Sequence, residues 1–427
     1  TSGNVGRRNV FYIRSKIDDK RFKEYPPNSI AVLPFVNMSD DAGNEYFSDG
    51  IAEELLNLLA GIPELRVIAR TSSFSYKGKD VKITDIARDL KVRHVLEGSV
   101  RKSGNRVRVT AQLIETASGT HLWSETYDRT LDDIFAIQDE IAGEVVESME
   151  GVLLGKATPK AKETDPEAYA LYLQCSYFGA GDREHLRKGE EYCRQSLEID
   201  PNYAPTWASL GTIYTNLAIS GYIDFKDGYE KKLEYTRRAL ELDPNLAYAH
   251  GGLAWHAMMY ERDLQAAAEQ YGVALKLAPN DSRILGGAAV LAESLGRFDR
   301  AIELAEKSLS VDPLGWIVYG NTAIVRCWAG QFELANAWFD KALELKPRER
   351  GNPWRAKCYL LQGRPDEAQG VRVIHAALDA REDENLMIIA RTDARSVEGF
   401  EASFFPKSGS CSTVSVWNDQ LVSASPV

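Results

Sequence analysis

The sequence predicts a small α/β domain with a mixed sheet and covering helices, followed by an all-α solenoid of helical hairpins. Three observations carry this. Between residues 29 and 155, short β-branched runs alternate with segments of helical periodicity. Between 166 and 368, prolines at 166, 201, 244, 279, 313 and 347 recur at intervals of 35, 43, 35, 34 and 34 residues, a period that marks a stack of identical small units. And 427 residues with 44% hydrophobic and 26% charged side chains suffice for two or three ordinary soluble domains.

Residues 1–28 form a basic linker, with Arg7, Arg8, Arg14, Lys16, Lys20, Arg21 and Lys23 against Asp18, Asp19 and Glu24. The net charge of -11 therefore falls on the remainder. An acidic body argues against a broad nucleic-acid surface, which needs clustered Lys and Arg. No run of eighteen apolar residues occurs, so no membrane span is expected. The start at Thr1, without Met or a signal-peptide pattern, suggests a piece of something longer.

Along the first domain, "SIAVLPFV" predicts a buried strand closed by the turn-forming "NMSDDAGN". "FSDGIAEELLNLLAGI" predicts a helix with Ser48 and Asp49 as N-caps, Ile51, Leu55, Leu58 and Leu59 inward, and Gly61 as its stop. "LRVIAR" is a second strand and "ITDIARDL" a short helix. An antiparallel run follows: "HVLEGSVRK", a turn at Ser103-Gly104-Asn105, "RVRVTAQLIET", a turn at Ser118-Gly119, and "HLWSETYDR". Alternation places Val107, Val109, Ala111 and Leu113 on a dry face and Arg106, Arg108, Thr110 and Gln112 on a wet one. A last helix buries Ile134, Ile137, Ile141 and Val145. Neither "DGIAEE" nor "YKGKDVK" has the glycine spacing of a phosphate cradle, so they are expected to be helix cap and surface loop.

Over residues 29–155, "SIAVLPFVNMS", "EYFSDGIAEELLNLLAGIPELRVIARTSSFSYKGK" and "VLEGSVRKSGNRVRVTAQLIETASGTHLWSETYDRTLDDIFAIQDEIA" resemble the TolB-like amino-terminal module of bacterial signalling proteins. In that family the module commonly follows a class III adenylate or guanylate cyclase domain or a winged-helix DNA-binding domain, often with a membrane helix between. None of these occurs in the chain. The resemblance implies a regulatory half with no catalytic residues to carry over.

After a linker at 156–165, residues 166–368 hold about five repeats. "LEIDP", "LELDP", "LKLAP", "LSVDP" and "LELKP" close successive units. Trp207, Leu210, Gly211 and Tyr214 supply W-x2-L-G-x2-Y, and Gly296-Phe298-Ala301 and Gly330-Phe332-Ala335 supply turns into second helices. This pattern is similar to the tetratricopeptide repeat. The 43-residue interval takes its extra length around "SGYIDFKDGY", after a first helix. Each hairpin would bury its apolar face only by stacking on the next, leaving a concave surface built from first helices. Counting from Trp207 puts Trp255, Met258, Met259, Val290, Ile324 and Trp328 on that surface, floored by Ala208, Gly251, Gly286 and Gly320. Such a groove suits an extended or helical peptide, or its side chains simply pack against neighbouring helices. The Lys and Asn pattern by which some tetratricopeptide domains grip a terminal carboxylate is absent.

Cysteines at 175, 193, 327, 358 and 411 show neither CxxC nor a zinc spacing, which suggests free thiols and leans toward a reducing, cytoplasmic space. A membrane helix upstream would allow a periplasmic one. His250 and His256, six apart, do not share a helix face as a metal pair would. Neither metal nor cofactor is expected.

In 369–402, "VIHAALDAREDENLMIIARTDARSVEGFEA" resembles a strand of the isocitrate lyase and phosphoenolpyruvate mutase superfamily, in which the arginine matching Arg391 binds substrate. The family's metal-binding acids are missing from the rest of the chain. One strand of a barrel cannot assemble a site, so a fusion, a frameshift or a capping segment is expected, with a disordered tail at 403–427. The resulting expectation is a non-enzymatic protein-interaction module of bacterial signal transduction. Its alternatives are the regulatory half of a cyclase or winged-helix regulator and, remotely, a lyase relic.

Overall fold

A computed structural model of the chain describes residues 25–149, 160–346 and 353–364 and the strands 386–390, 400–406, 412–417, 420–421 and 425–426. The chain divides into two units, Thr1–Val318 and Tyr319–Val427. The basic linker at 1–24, and Arg391 with Thr392 and Asp393, lie outside the described residues.

The first unit opens with a six-stranded mixed sheet. β1 (Ser29–Val32) lies between β3 (Arg66–Val67) and β4 (His94–Ser103), parallel to both, and β5 (Arg106–Glu115) and β6 (Thr120–Thr130) extend the sheet antiparallel. A short β2 (Val36–Asn37) also pairs with β4. β1 is buried throughout because helices cover both of its faces. On one side Ile30 and Val32 meet α1 (Glu45–Ala60) through Ile51, Leu55 and Leu59. On the other, Ala31 and Leu33 meet α2 (Ile83–Leu90) through Ile86, Ala87 and Leu90. Toward the far edge only one face is covered. Val107, Val109, Ala111 and Leu113 are sealed under α3 (Ile134–Ser148), whose Ile134, Ile137, Ile141 and Val145 are fully buried. The opposite face carries Arg108 paired with Asp128 and Thr110 facing Thr126 across the ladder.

Two boundaries differ from the sequence reading. α1 begins at Glu45, so Ser48 and Asp49 are buried inside the helix rather than capping it. Phe47, fully buried, extends the apolar stripe one turn upstream, and the Asp49 carboxylate is matched by Lys77. β3 is shorter than "LRVIAR": Ile68 still donates to Ile30 O at 2.9 Å, but the Ala69 N–H turns away to Val311 O at 2.7 Å. A contact 242 positions along the chain ends the strand.

Helical hairpins follow: α4 (Pro166–Tyr177) with α5 (Arg183–Ile199), α6 (Ala204–Ile219) with α7 (Phe225–Leu242), α8 (Ala247–His256) with α9 (Leu264–Leu277), and α10 (Ser282–Ser294) with α11 (Phe298–Val311). Aspartates set the starts. Asp165, Asp182, Asp224, Asp263 and Asp281 each accept two backbone N–H groups at the head of α4, α5, α7, α9 and α10. Gly296, at φ 70°, makes the αL turn that β-branched or bulky residues resist.

The solenoid touches the sheet domain at both ends of this unit. α4 packs on α1, where Tyr172 Oη donates to Glu54 Oε1 at 3.0 Å and Gln138 Nε2 reaches Tyr169 Oη at 2.6 Å. Three hairpins later the Asn280 amide donates to Pro63 O and Leu65 O at 3.1 and 3.0 Å. Then Ser72 Oγ donates to Asp312 Oδ1 at 2.6 Å and accepts from Leu314 N at 2.8 Å.

The second unit holds most of α12 (Trp316–Trp328), with α13 (Phe332–Leu345) and α14 (Pro353–Leu361). Its strands β7 (Leu386–Ala390), β8 (Phe400–Pro406) and β9 (Ser412–Trp417) pair antiparallel in sequence order. An antiparallel meander is not the parallel barrel that the lyase resemblance implies. It also replaces part of the expected disordered tail, since the β-branched "STVSVW" supplies a strand.

The expectation of free thiols is corrected for four of the five cysteines, Cys411 lying outside the described residues. Cys175 and Cys193 form a disulfide across α4 and α5, and Cys327 and Cys358 another across α12 and α14, with Cα separations of 5.0 and 5.8 Å. The partners stand 18 and 31 residues apart, so only helix stacking brings them together and no local spacing reveals them.

Candidate functional site

Of the repeat signature around α6, each member has a structural task. Trp207 Nε1 donates to Pro201 O at 2.9 Å, Leu210 is buried between the helices, and Tyr214 Oη donates to Glu190 Oε1 at 2.7 Å. At Gly211 a Cβ would stand 3.4 Å from Lys232 O and from Thr236 Oγ1 on α7, an ordinary contact distance that shows how near the two helices run. The tight pairing of α6 with α7, and the glycines Gly251 and Gly252 on α8, leave a hollow of about 290 Å³ over the second to fourth hairpins.

Two charged side chains line this hollow, Lys232 and Arg283, and no acidic one does. Arg283 opens α10 with its guanidinium 3.1 Å from Asp281 Oδ2 and 5.8 Å over the Tyr248 ring. Asp281 keeps it firmly cationic, yet the side chain remains three-quarters exposed. Lys232 has no carboxylate partner among the described residues; its ammonium lies 5.6 Å over the Tyr229 ring. Burial without a counter-charge pushes its pKa down to about 8. Trp255 and Tyr271 add aromatic side chains to the wall. The charge of this wall is therefore positive.

Of the six groove residues expected from the sequence, the structure brings Trp255 to the hollow, above the expected floor residues Ala208 and Gly251. Met258 is buried and Met259 is 46% exposed. The three were expected on one α-helical face, but the helix widens to π geometry over Ala257–Glu261 and closes on Arg262 at φ 57°. Neither methionine is among the residues that line the hollow. Val290 is half-buried on α10. Ile324 and Trp328 belong to the second unit, packed with Cys327, Ala335 and Phe339. Sequence reasoning missed Lys232, Tyr271 and Arg283. Lys232 and Tyr271 lie on second helices, where a first-helix count does not look, and Arg283 stands at a helix start.

A second crevice, about 620 Å³, opens beside the carboxyl end of β1, between Leu33–Met38 and Tyr76–Val81. Its Lys77 is already matched by Glu45 at 2.9 Å and by Asp49. Among the described residues no group of three His, Cys, Asp or Glu could hold a metal, and no helix is long and apolar enough to cross a membrane.

Residues 27–144 match the family model for the second domain of HilA/YgeH-like transcriptional regulators, and residues 282–313 match a tetratricopeptide repeat model. The Rhizobium meliloti (strain 1021) protein named "Putative adenylate cyclase 3" is 45% identical over 193 residues, covering 43% of this chain and 32% of that protein. The chain thus spans about a third of that relative's length. Similar solved structures include MamA (23% identity, 39% of this chain and 91% of that one, TM-score 0.29). YrrB, a TPR protein with an unusual peptide-binding site, is 18% identical over 43% of this chain and 87% of its own, with a TM-score of 0.30. PilW, a type IV pilus biogenesis factor, is 18% identical over 52% and 96%, with a TM-score of 0.39.

Proposed function

We propose that the chain is a non-catalytic recognition and regulatory module of a bacterial signalling protein, with a protein or peptide partner seated on the solenoid. The observation that carries this is the stack of hairpins with a cation-bearing hollow on its surface. Stacked hairpins present extended surfaces suited to another chain. The sheet domain, by its TolB-like resemblance and its match to a regulator's domain, would tie partner binding to an output domain elsewhere in the protein. No catalytic residue, metal or cofactor enters this reading.

A second reading is favoured by the relative whose name is an adenylate cyclase. In it the chain is the regulatory half of a cyclase, and second-messenger synthesis belongs to residues beyond those in hand. The winged-helix alternative rests on the regulator match.

Partner capture tests the proposal. The immobilised chain, cross-linked to interactors from its own host, is compared with a Trp255→Glu variant, which removes the indole and sets a carboxylate on the same wall as Lys232 and Arg283, where it would compete with the partner. Capture should fall at least tenfold, about 1.4 kcal/mol. Equal capture by a folded Trp255→Glu protein would remove the solenoid hollow from the function.

A further inference from the structure

We infer that the hollow is a receptor for a carboxylate, specifically an Asp or Glu side chain on the partner segment, held between Lys232 and Arg283. This rests on the reading of the solenoid as a recognition surface and goes further by naming what it recognises.

The argument begins with charge. A chain of net charge -11 places two cations and no anion around one hollow. Lys232 is partly withdrawn from water without a carboxylate to compensate it, an arrangement that costs stability unless something supplies the counter-charge. Some cations near these helices are neutralised within the chain: Arg194 pairs with Glu190 and Lys231 with Glu234. Lys232, one residue from Lys231, is the exception among those facing the hollow. Arg283 keeps one guanidinium nitrogen on Asp281 and leaves the remainder of its fork to solvent. An incoming carboxylate would meet a point charge and a planar fork.

Carboxylate is favoured over phosphate by the backbone. The hollow's glycines, Gly211, Gly251 and Gly252, lie inside helices, where their N–H groups are committed to the helix, so no cradle of free N–H groups forms. At about 290 Å³ the space suits one acidic side chain with its flanking apolar atoms on Trp255 and Ile284 better than a nucleotide. A side chain is favoured over a chain terminus because the hollow stays open to solvent at Arg283, so a segment can pass across it.

The test uses the whole chain with its lysines reductively methylated with ¹³C, the Lys232 resonance being assigned by its loss in Lys232→Arg. Four probes are titrated: N-acetylglutamate α-amide, whose one charge is the side-chain carboxylate; N-acetylglutamine amide; N-acetylalanine, with a terminal carboxylate; and inorganic phosphate. The glutamate probe should shift the Lys232 signal saturably. The glutamine probe and phosphate should bind at least tenfold more weakly, and Arg283→Gln should weaken the glutamate probe by a similar factor while the signal persists. Equal response to glutamate and glutamine probes, or no response at Lys232, overturns the inference. Tighter binding of N-acetylalanine or phosphate overturns the side-chain assignment. If partner capture depends on Trp255 while the glutamate probe is silent, the inference alone fails; if the probe binds and no partner is ever captured, the functional reading fails.

Discussion

The sheet domain and the later hairpins of the first unit bury different kinds of side chain. In the sheet domain, Phe35, Phe47, Ile51, Leu55, Leu59 and Leu113 join one cluster, and this cluster does not stop at the end of α3. It continues into Tyr169, Tyr172, Leu173 and Tyr203 of the first hairpin and its turn. Further along, many of the fully buried positions are small, Ala239, Ala254, Ala267, Ala274 and Ala301 among them, with Ile213, Leu285 and Val311 as larger exceptions. Large side chains shared by two elements make one cooperative body, whereas alanine-lined hairpins gain stability mainly from nearest neighbours. The linker expected at 156–165 separates stretches of sequence, but not cores.

The largest effect should come from breaking that shared core. Tyr169 is 1% exposed, stacks edge-on against Phe135 with ring centroids 4.8 Å apart, and accepts a hydrogen bond from Gln138. Tyr169→Ala should cost about 3–5 kcal/mol, and denaturant unfolding of the two regions should separate into two transitions. A loss under about 1 kcal/mol with one transition would mean the sheet domain's core ends at α3.

Next comes Glu54, on α1 at the same junction. Burial, helped by neighbouring Glu53 and opposed by the hydrogen bond from Tyr172, pushes its carboxyl up to about 7. Between the ordinary glutamate value of about 4.3 and pH 7 the folded state holds a proton that the unfolded state has released. The stability tied to Glu54 is therefore complete below about pH 4.3, falls as pH rises toward 7, and levels off above it. Its size is on the order of 1–3 kcal/mol. Asp312, also raised by burial, pulls in the same direction. Glu54→Gln should flatten most of this slope in denaturation curves taken across that range; an unchanged slope would place the coupling elsewhere.

A smaller effect is expected at the distal contact. Ser72 Oγ joins Asp312 and the Leu314 N–H, so Ser72→Ala leaves a buried carboxylate and an amide short of a partner. The cost should be about 1–3 kcal/mol. It should appear locally, as faster hydrogen exchange at Ala69 and Leu314 with little change at Tyr169. Global acceleration would show that the far hairpins are as cooperative as the first.

How much of this was legible depended on range. The β5 alternation and the α3 stripe are local patterns, and the structure has them where the sequence puts them. Proline spacing likewise marked the hairpin period, because each hairpin repeats the same local solution. What escaped was set by distant partners. β3 ends where Val311 takes an N–H, and the disulfides join residues on separate helices. Lys232 reaches the hollow only because α7 stacks against α8. From its own neighbours in "YEKKLEYT" it is indistinguishable from Lys231, which pairs outward with Glu234.

The smallest prediction isolates the one local feature that the sequence count misjudged. On a regular α-helix Met258 and Met259 would both follow Trp255 onto the concave face, at i+3 and i+4. In the π turn Met258 is instead 6% exposed and Met259 46%. Met258→Ala should then cost about 2–5 kcal/mol as a buried truncation, while Met259→Ala should change stability by less than about 0.5 kcal/mol and leave partner capture intact. Equal losses at the two positions would restore the α-helical register, and with it a groove of methionines beside Trp255. An asymmetric result would instead fit Met258 as a core residue and Met259 as a surface one, leaving Trp255 as the one of the three that lines the hollow.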